Sequence, residues 1–196
     1  MLITITSFKG GVGKSTSAVH LACYLAEQDS TLLVDGDPNR SVLNWHQRGA
    51  LPFQVCSMAA SPKYVRHYEH IVVDTPARPN REDLRELAEG CDVLLLPTRP
   101  DALSVDAMLQ TVQLLEELEC QHYRILLTMT GRSKMTALAR EALSHLPLLN
   151  REIRHYAAYD KAALEGCPVY EVRDDRNAKI AWTDYAAVAQ ELLAHG

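Results

Sequence analysis

Lys9-Gly10-Gly11-Val12-Gly13-Lys14-Ser15-Thr16 is the stretch that most constrains this chain. It follows an alternating run, Leu2 to Thr6, that predicts a buried strand, and it precedes a run, Ser17 to Ala26, that predicts a helix. Strand, glycine-rich turn and helix, in that order, are the frame of a phosphate-binding loop. Glycines let the backbone curl until successive N–H groups point inward at phosphate oxygens. The helix N-terminus adds positive dipole. Lys14 reaches the β- and γ-phosphates of a nucleotide, and the Ser15 hydroxyl is placed to ligate Mg2+. The usual pattern G-x-x-x-x-G-K-[ST] ends here at Gly13-Lys14-Ser15, but Phe8 stands where its first glycine would fall. Lys9 follows directly, so the loop is a variant with a second lysine near its start. A glycine turn that binds nothing would explain neither the motif nor its flanks.

The rest of the chain agrees with one nucleotide-binding domain. Its 196 residues suffice for one α/β domain, residues 1–196, and are short for two. A net charge of −5 excludes a wholly basic nucleic-acid protein but not a local basic patch. Five scattered cysteines without a C-x-x-C read as reduced thiols of a cytosolic protein and give no iron–sulfur or zinc site. The chain opens on its first strand, with no expected signal peptide, no run of transmembrane length and no preceding helix-turn-helix. The last segment, Ala186 to Gly196, is expected to be a helix without a lysine-rich amphipathic face for membranes.

Strands and helices alternate along the sequence. Thr31 to Asp35 is a continuous apolar strand ending in Asp35-Gly36-Asp37-Pro38-Asn39-Arg40, and Ser41 to Arg48 a short helix. Phe53 to Cys56 is a short edge strand, and Ser61 to His67 is helical. Ile71 to Pro76 is a β-branched strand that ends on Asp74, an acid placed to hold Mg2+ through water at the edge shared with Ser15. The loop Ala77-Arg78-Pro79 lies near the nucleotide. Further helices are expected at Glu82–Glu89, Asp101–Glu119, with Leu103, Ala107, Leu114, Leu115 and Leu118 on its apolar stripe, and Thr136–His145. Further strands are expected at Cys91–Pro97, Tyr123–Met129 and Leu148–Ile153. Arg154 to Tyr159 is a loop at the nucleotide edge, Lys161 to Glu165 a helical turn ended by Gly166. The fold class that follows is α/β: a doubly wound, mostly parallel sheet with helices on both faces. In such sheets ligands sit at the carboxyl ends of strands, where all three motifs fall.

The run KGGVGKST, followed by D-G-D-P-N and by D-T-P, resembles the deviant Walker ATPases of the ParA/MinD family, closest to short ParA-type partition ATPases. The pairing of D-G-D-P-N-R-S with D-T-P-A-R-P is similar to the carboxysome-positioning McdA group, some members of which lack the early lysine present here as Lys9. The resemblance implies ATP with Mg2+ and an ATP-dependent homodimer in which Lys9 reaches the partner's nucleotide. It implies that Asp37 positions or activates the attacking water and that Asp35 supports it near Mg2+. It also implies non-specific binding to double-stranded DNA and a ParB-like or McdB-like adaptor that stimulates hydrolysis. The expected setting is cytoplasmic, on the nucleoid, without stable membrane association, with a plasmid, a chromosome origin or a protein body such as a carboxysome as cargo. The basic residues of the tail, Arg154, Lys161, Arg173, Arg176 and Lys179, with Arg151 beside them, are the candidate DNA contacts. Ordinary solvated charges paired with Glu165, Glu171, Asp174 and Asp175 are the alternative.

Three other classes share the fold. A MinD-like membrane ATPase would want a basic C-terminal helix. An iron–sulfur carrier would want suitably spaced cysteines, and a dethiobiotin-synthetase-like ligase would not need Lys9. The first remains the main alternative.

Overall fold

A computed structural model describes residues 1–194. Six strands form one parallel sheet in the order β3-β2-β4-β1-β5-β6. They are β1 Leu2–Ser7, β2 Thr31–Asp35, β3 Gln54–Ser57, β4 His70–Ala77, β5 Val93–Thr98 and β6 Tyr123–Leu127. The helices are α1 Lys14–Ala26, α2 Ser41–Arg48, α3 Arg81–Glu89, α4 Ala102–Glu117, α5 Lys134–Ala142, α6 Ala157–Glu165 and α7 Ala178–Leu193. The segment expected to be helical before β4 is 3-10 helix, Met58–Lys63 and Val65–His67.

Side chains alternate across each strand, so the central strands, apolar at nearly every position, feed two layers at once. Ile3, Ile5, Leu33, Val72 and Leu95 face α1, α2, α6 and α7. Leu94, Leu96, Ile125 and Leu127 face α3, α4 and α5. The chain leaves β1 for β2 on one side and later crosses from β4 to β5 on the other. Strand order therefore reverses at β1, which opens a crevice at its carboxyl end.

Two expectations are corrected. Leu148–Ile153 is not a strand among the described residues; isolated bridges join Leu148 to Ile125 and the following Arg154 to Thr130, and hydrogen bonds to β6 are made at its two ends, by Leu149 N and Ile153 N. Between them the Glu191 carboxylate of α7 accepts the Asn150 and Arg151 N–H groups at 2.7 and 2.8 Å, which draws the middle of the segment off the sheet. On α4, Leu103 is 72% exposed, and the buried stripe is Ser104, Val105, Met108, Val112 and Leu115. Of the expected stripe Leu115 is buried and Leu114 and Leu118 pack against the core, so the departure is confined to the first half of the helix, which the Asp101 side chain caps by accepting from Ser104 N. Helix α6 also starts four residues earlier than expected, on Ala157 and Ala158. The expected continuation of the last helix through His195 and Gly196 lies outside the described residues.

Helix α2 is fastened to α6 at close range. Trp45 Nε1 donates to the Cys167 carbonyl at 3.1 Å, and Arg48 Nη1 to the Ala163 carbonyl at 2.8 Å. A side chain on Gly49 would meet the Gly166 carbonyl oxygen at 2.7 Å, and Gly166 itself has φ +74°. Only glycine fits at both points.

Candidate active site

The loop between β1 and α1 has the shape its glycines permit. Gly11 and Gly13 lie in the left-handed region, at φ +73° and +84°. Gly13 is the N-cap of α1, no side chain caps the helix, and its first turn holds no acid. Its leading N–H groups are thus left for an anion. Thr128 Oγ1 ties the loop to the sheet by donating to the Val12 carbonyl at 2.8 Å. Lys14 is buried at the loop's end.

The three acids come together with it. Asp35 and Asp74 are register partners on β2 and β4. Ser15 Oγ donates to Asp74 Oδ2 at 2.6 Å, and Asp74 Oδ1 is buried without a hydrogen-bond partner. Burial pushes the Asp74 carboxyl up to about 7, against the Ser15 hydrogen bond and the Lys14 charge. An orphaned buried oxygen of this kind wants a cation or its water. Ser15 and Asp74 supply the sparse oxygen set that a hydrated Mg2+ takes, alongside phosphate oxygens. Among the described residues no group of three or more His, Cys, Asp or Glu converges as a metal cage, as expected for an ion held largely by water and phosphate. Asp35 is differently employed: its two oxygens accept the N–H groups of Asp37 and Leu43, at 3.1 and 2.9 Å. It shapes the loop that carries Asp37, whose own Oδ1 accepts Asn39 N at 2.8 Å.

Backbone strain gathers around this crevice. Among the described residues four non-glycine residues have positive φ, and three of them, Arg40, Arg78 and Met129, lie in the loops after β2, β4 and β6. The Arg78 case has a visible cause. Pro76 has no N–H, and the β1–β4 register shifts between Ile5 and Ser7, which face Asp74 and Ala77. The chain recovers by turning Arg78 to φ +61°, so that its N–H reaches the Ser7 carbonyl at 2.9 Å.

Lys9 is engaged within the chain. Its Nζ donates to Asp101 Oδ1 at 2.9 Å and to Ser104 Oγ at 2.8 Å. Burial raises the Asp101 carboxyl, but the Lys9 and Ser104 hydrogen bonds prevail and hold it down at about 2.

A small, partly open cavity runs from Gly13 and Thr16 to Met129, Arg154, Tyr156 and Tyr159, lined on one side by the Arg154–Tyr159 loop expected at the nucleotide edge. Sequence reasoning missed the residue packed under it. Beneath it lies His20, fully buried, stacked on Tyr185 at 4.8 Å and edge-on to Trp45 and Tyr159. Val169 N donates to His20 Nε2, so Nδ1 carries the proton and donates to the Thr16 carbonyl at 2.7 Å. Helical periodicity marks His20 only as one more buried position.

Burial lowers the His20 pKa to about 4, against the Thr16 hydrogen bond. The unfolded chain binds this proton near pH 6.5 and the folded chain only near 4, so His20 contributes stability above pH 6.5 that is lost as pH falls towards 4. The full swing is about 3 kcal/mol. Urea denaturation at pH 7 and pH 5 should show much of that loss, and His20→Asn should flatten it. An equal slope in the variant would assign the acid sensitivity to other groups.

The expected DNA residues do not form one set. Arg154 gives its charge to the buried Asp184, with Nη2–Oδ1 at 2.6 Å. Lys161 pairs with Asp175 at 3.1 Å and donates to the Asp174 carbonyl. Arg173, Arg176 and Lys179 are exposed at the start of α7 and make no ion pair among the described residues. Arg151 is exposed at the far side, where its N–H is held by Glu191.

Residues 3–169 match the profile of the CbiA family, described as the CobQ/CobB/MinD/ParA nucleotide binding domain. The chain belongs to this family. Its resemblance to ParA/MinD proteins thereby holds over the phosphate loop and all six strands. A "Maintenance of carboxysome distribution protein A" of Gloeobacter kilaueensis is 36% identical over 202 residues, covering 97% of this chain and 93% of that one. Among solved structures, a plasmid partition protein of Borrelia burgdorferi B31 bound to AMPPNP superposes with TM-score 0.76 at 18% identity, covering 99% and 98% of the two chains. MinD of Aquifex aeolicus gives TM-score 0.75 at 19% identity, covering 96% of each. The likeness to these structures is one of fold.

Proposed function

We propose that this chain is a Mg2+-dependent ATPase of the ParA/McdA positioning type. The observation that carries the reading is the convergence of Lys14, Ser15 and the half-satisfied Asp74 at the mouth of a glycine loop whose helix N-terminus is uncapped. Loop N–H groups from Gly10 to Thr16 cradle the phosphates, and Lys14 neutralises the β- and γ-oxygens. Ser15 and Asp74 would hold Mg2+, Asp74 through water, and the ion would supply charge stabilisation to the phosphate oxygens. Asp37 orients the attacking water, and Asp35 keeps the Asp37 loop in place. The base lies in the cavity between Thr16 and Tyr156.

On this reading ATP joins two copies, with Lys9 exchanging Asp101 for the partner's phosphates. The dimer binds duplex DNA without sequence preference, and an adaptor on the cargo stimulates hydrolysis and releases it. Similarity to a carboxysome distribution protein, and in fold to a plasmid partition protein, supports a large cargo carried in this way. The same similarity supports cytoplasmic action on the nucleoid. Among the described residues no helix is long and apolar enough to cross a membrane.

The test joins two measurements. Purified protein should hydrolyse ATP only with Mg2+, and with a non-hydrolysable ATP analogue it should retard duplex DNA of any sequence. Retardation should fall steeply with salt, because each phosphate neutralised contributes about 0.9 to the slope of log affinity against log salt. The double variant Arg173→Glu with Arg176→Glu should lose most of the retardation while keeping basal hydrolysis. Undiminished retardation by that variant would move the DNA surface elsewhere. Wild type that retards no DNA but sediments with vesicles would favour the MinD-like membrane reading.

A further inference from the structure

Arg154 is a candidate DNA contact by sequence and Asp184 carries no role there, yet the geometry of the pair is that of a built element. Asp184 is 9% exposed on α7. Its carboxylate accepts three groups of one residue: Arg154 N at 3.1 Å, Nε at 3.0 Å and Nη2 at 2.6 Å. The pair is therefore a planar fork-to-fork contact with the backbone amide added. It leaves the guanidinium lying 5.3 Å over the Tyr156 ring. Tyr156 in turn stands 6.4 Å from Tyr159, whose hydroxyl donates to the Ala181 carbonyl at 2.8 Å, also on α7. His155 N, between them, is held by the Thr130 carbonyl at 2.9 Å. Helix α7 thus fixes a short wall of flat groups along the cavity that begins at Gly13 and Thr16.

The chemistry of this wall differs from that of the phosphate loop. A guanidinium already bound on two nitrogens to a buried carboxylate has little charge left for phosphate. What it offers is a polarised plane backed by an aromatic face, which suits a planar heterocycle. The cavity is small and partly open to solvent, with the exposed His155 and the half-exposed Tyr156 on its rim, while the Arg154–Asp184 pair holds the loop's root.

We infer that Asp184 is a positioning residue for the nucleotide base, acting through Arg154 to hold the Arg154–Tyr156 wall against the ring. This rests on the nucleotide-binding reading above. Its mark is that it affects the base and not the phosphates.

The experiment compares two ligands by calorimetry in wild type, Asp184→Asn and Tyr156→Ala: ATP, and inorganic tripolyphosphate, which has the phosphates without the base. Asp184→Asn keeps the shape of the side chain and removes the charge; Tyr156→Ala alters only the wall and serves if the first variant is unstable. Both variants should bind ATP roughly tenfold more weakly, as for a lost charged hydrogen bond or a lost stacking face, and tripolyphosphate unchanged. At saturating ATP their kcat should match wild type while KM rises. Equal losses for the two ligands, or no loss for either, would overturn the inference and leave the ATPase reading standing. Wild type that binds neither ligand would overturn the ATPase reading, and this inference with it.

Discussion

Lys14→Ala should weaken ATP binding by at least roughly a hundredfold, because a buried ammonium aimed at phosphate supplies several charge-assisted hydrogen bonds at once. Asp37→Ala should leave ATP binding within about threefold and lower kcat by roughly 100- to 1,000-fold, as for loss of a group that positions a water. The two acids of the β2 loop separate these effects. Asp35 has both oxygens committed to backbone N–H groups, whereas Asp37 holds only Asn39 N with one oxygen and lies in the partly exposed loop. Titration of a fluorescent ATP analogue and single-turnover hydrolysis distinguish the two outcomes. Equal loss of affinity in both variants would contradict the division of roles. Loss of the cooperative melt in Lys14→Ala would show a folding defect instead.

The second large effect concerns Lys9. Light scattering should find wild type monomeric without nucleotide and dimeric with a non-hydrolysable ATP analogue. Lys9→Ala should stay monomeric in both conditions. Within one chain the lysine is already satisfied by Asp101 and Ser104, and its side chain is about one-third exposed. A half-exposed ion pair of this kind is worth little, so exchange for a dense phosphate charge across an interface is favourable. The fold does not depend on the pair, and the variant should melt within a few degrees of wild type. An ATP-dependent dimer that survives Lys9→Ala would remove Lys9 from the interface.

Much of this was legible in the chain because a strand buried on both faces writes itself as a continuous apolar run. Thr31–Asp35 and Ser41–Arg48 coincide with β2 and α2, and the acids at strand ends fall at one edge as the parallel topology demands. Most of the misses share one cause. Leu148–Ile153 has a strand's composition, but Glu191, far along the chain, claims its middle amides. Arg154 reads as a candidate DNA contact because Asp184, which neutralises it, lies on another helix. The aromatic surroundings of His20 come from α2, α6 and α7. In these cases a local pattern is overruled by a partner distant in sequence, and no local period encodes that partner. Leu103 is a different case: it is apolar and at helical spacing, yet it is 72% exposed in the first turn of α4.

The place of β1 in the sheet also bears on how the protein is made. Strand β1 is flanked in the finished sheet by β4 and β5, with Leu2 paired to Ile71 and Ile3 to Val93. Both neighbours are synthesised after it, so an apolar strand with two open edges must wait for both. The Arg78 N–H and the Thr98 and Thr128 contacts that brace the phosphate loop lie later still in the chain, so the loop is completed only by pairings that span much of the sequence.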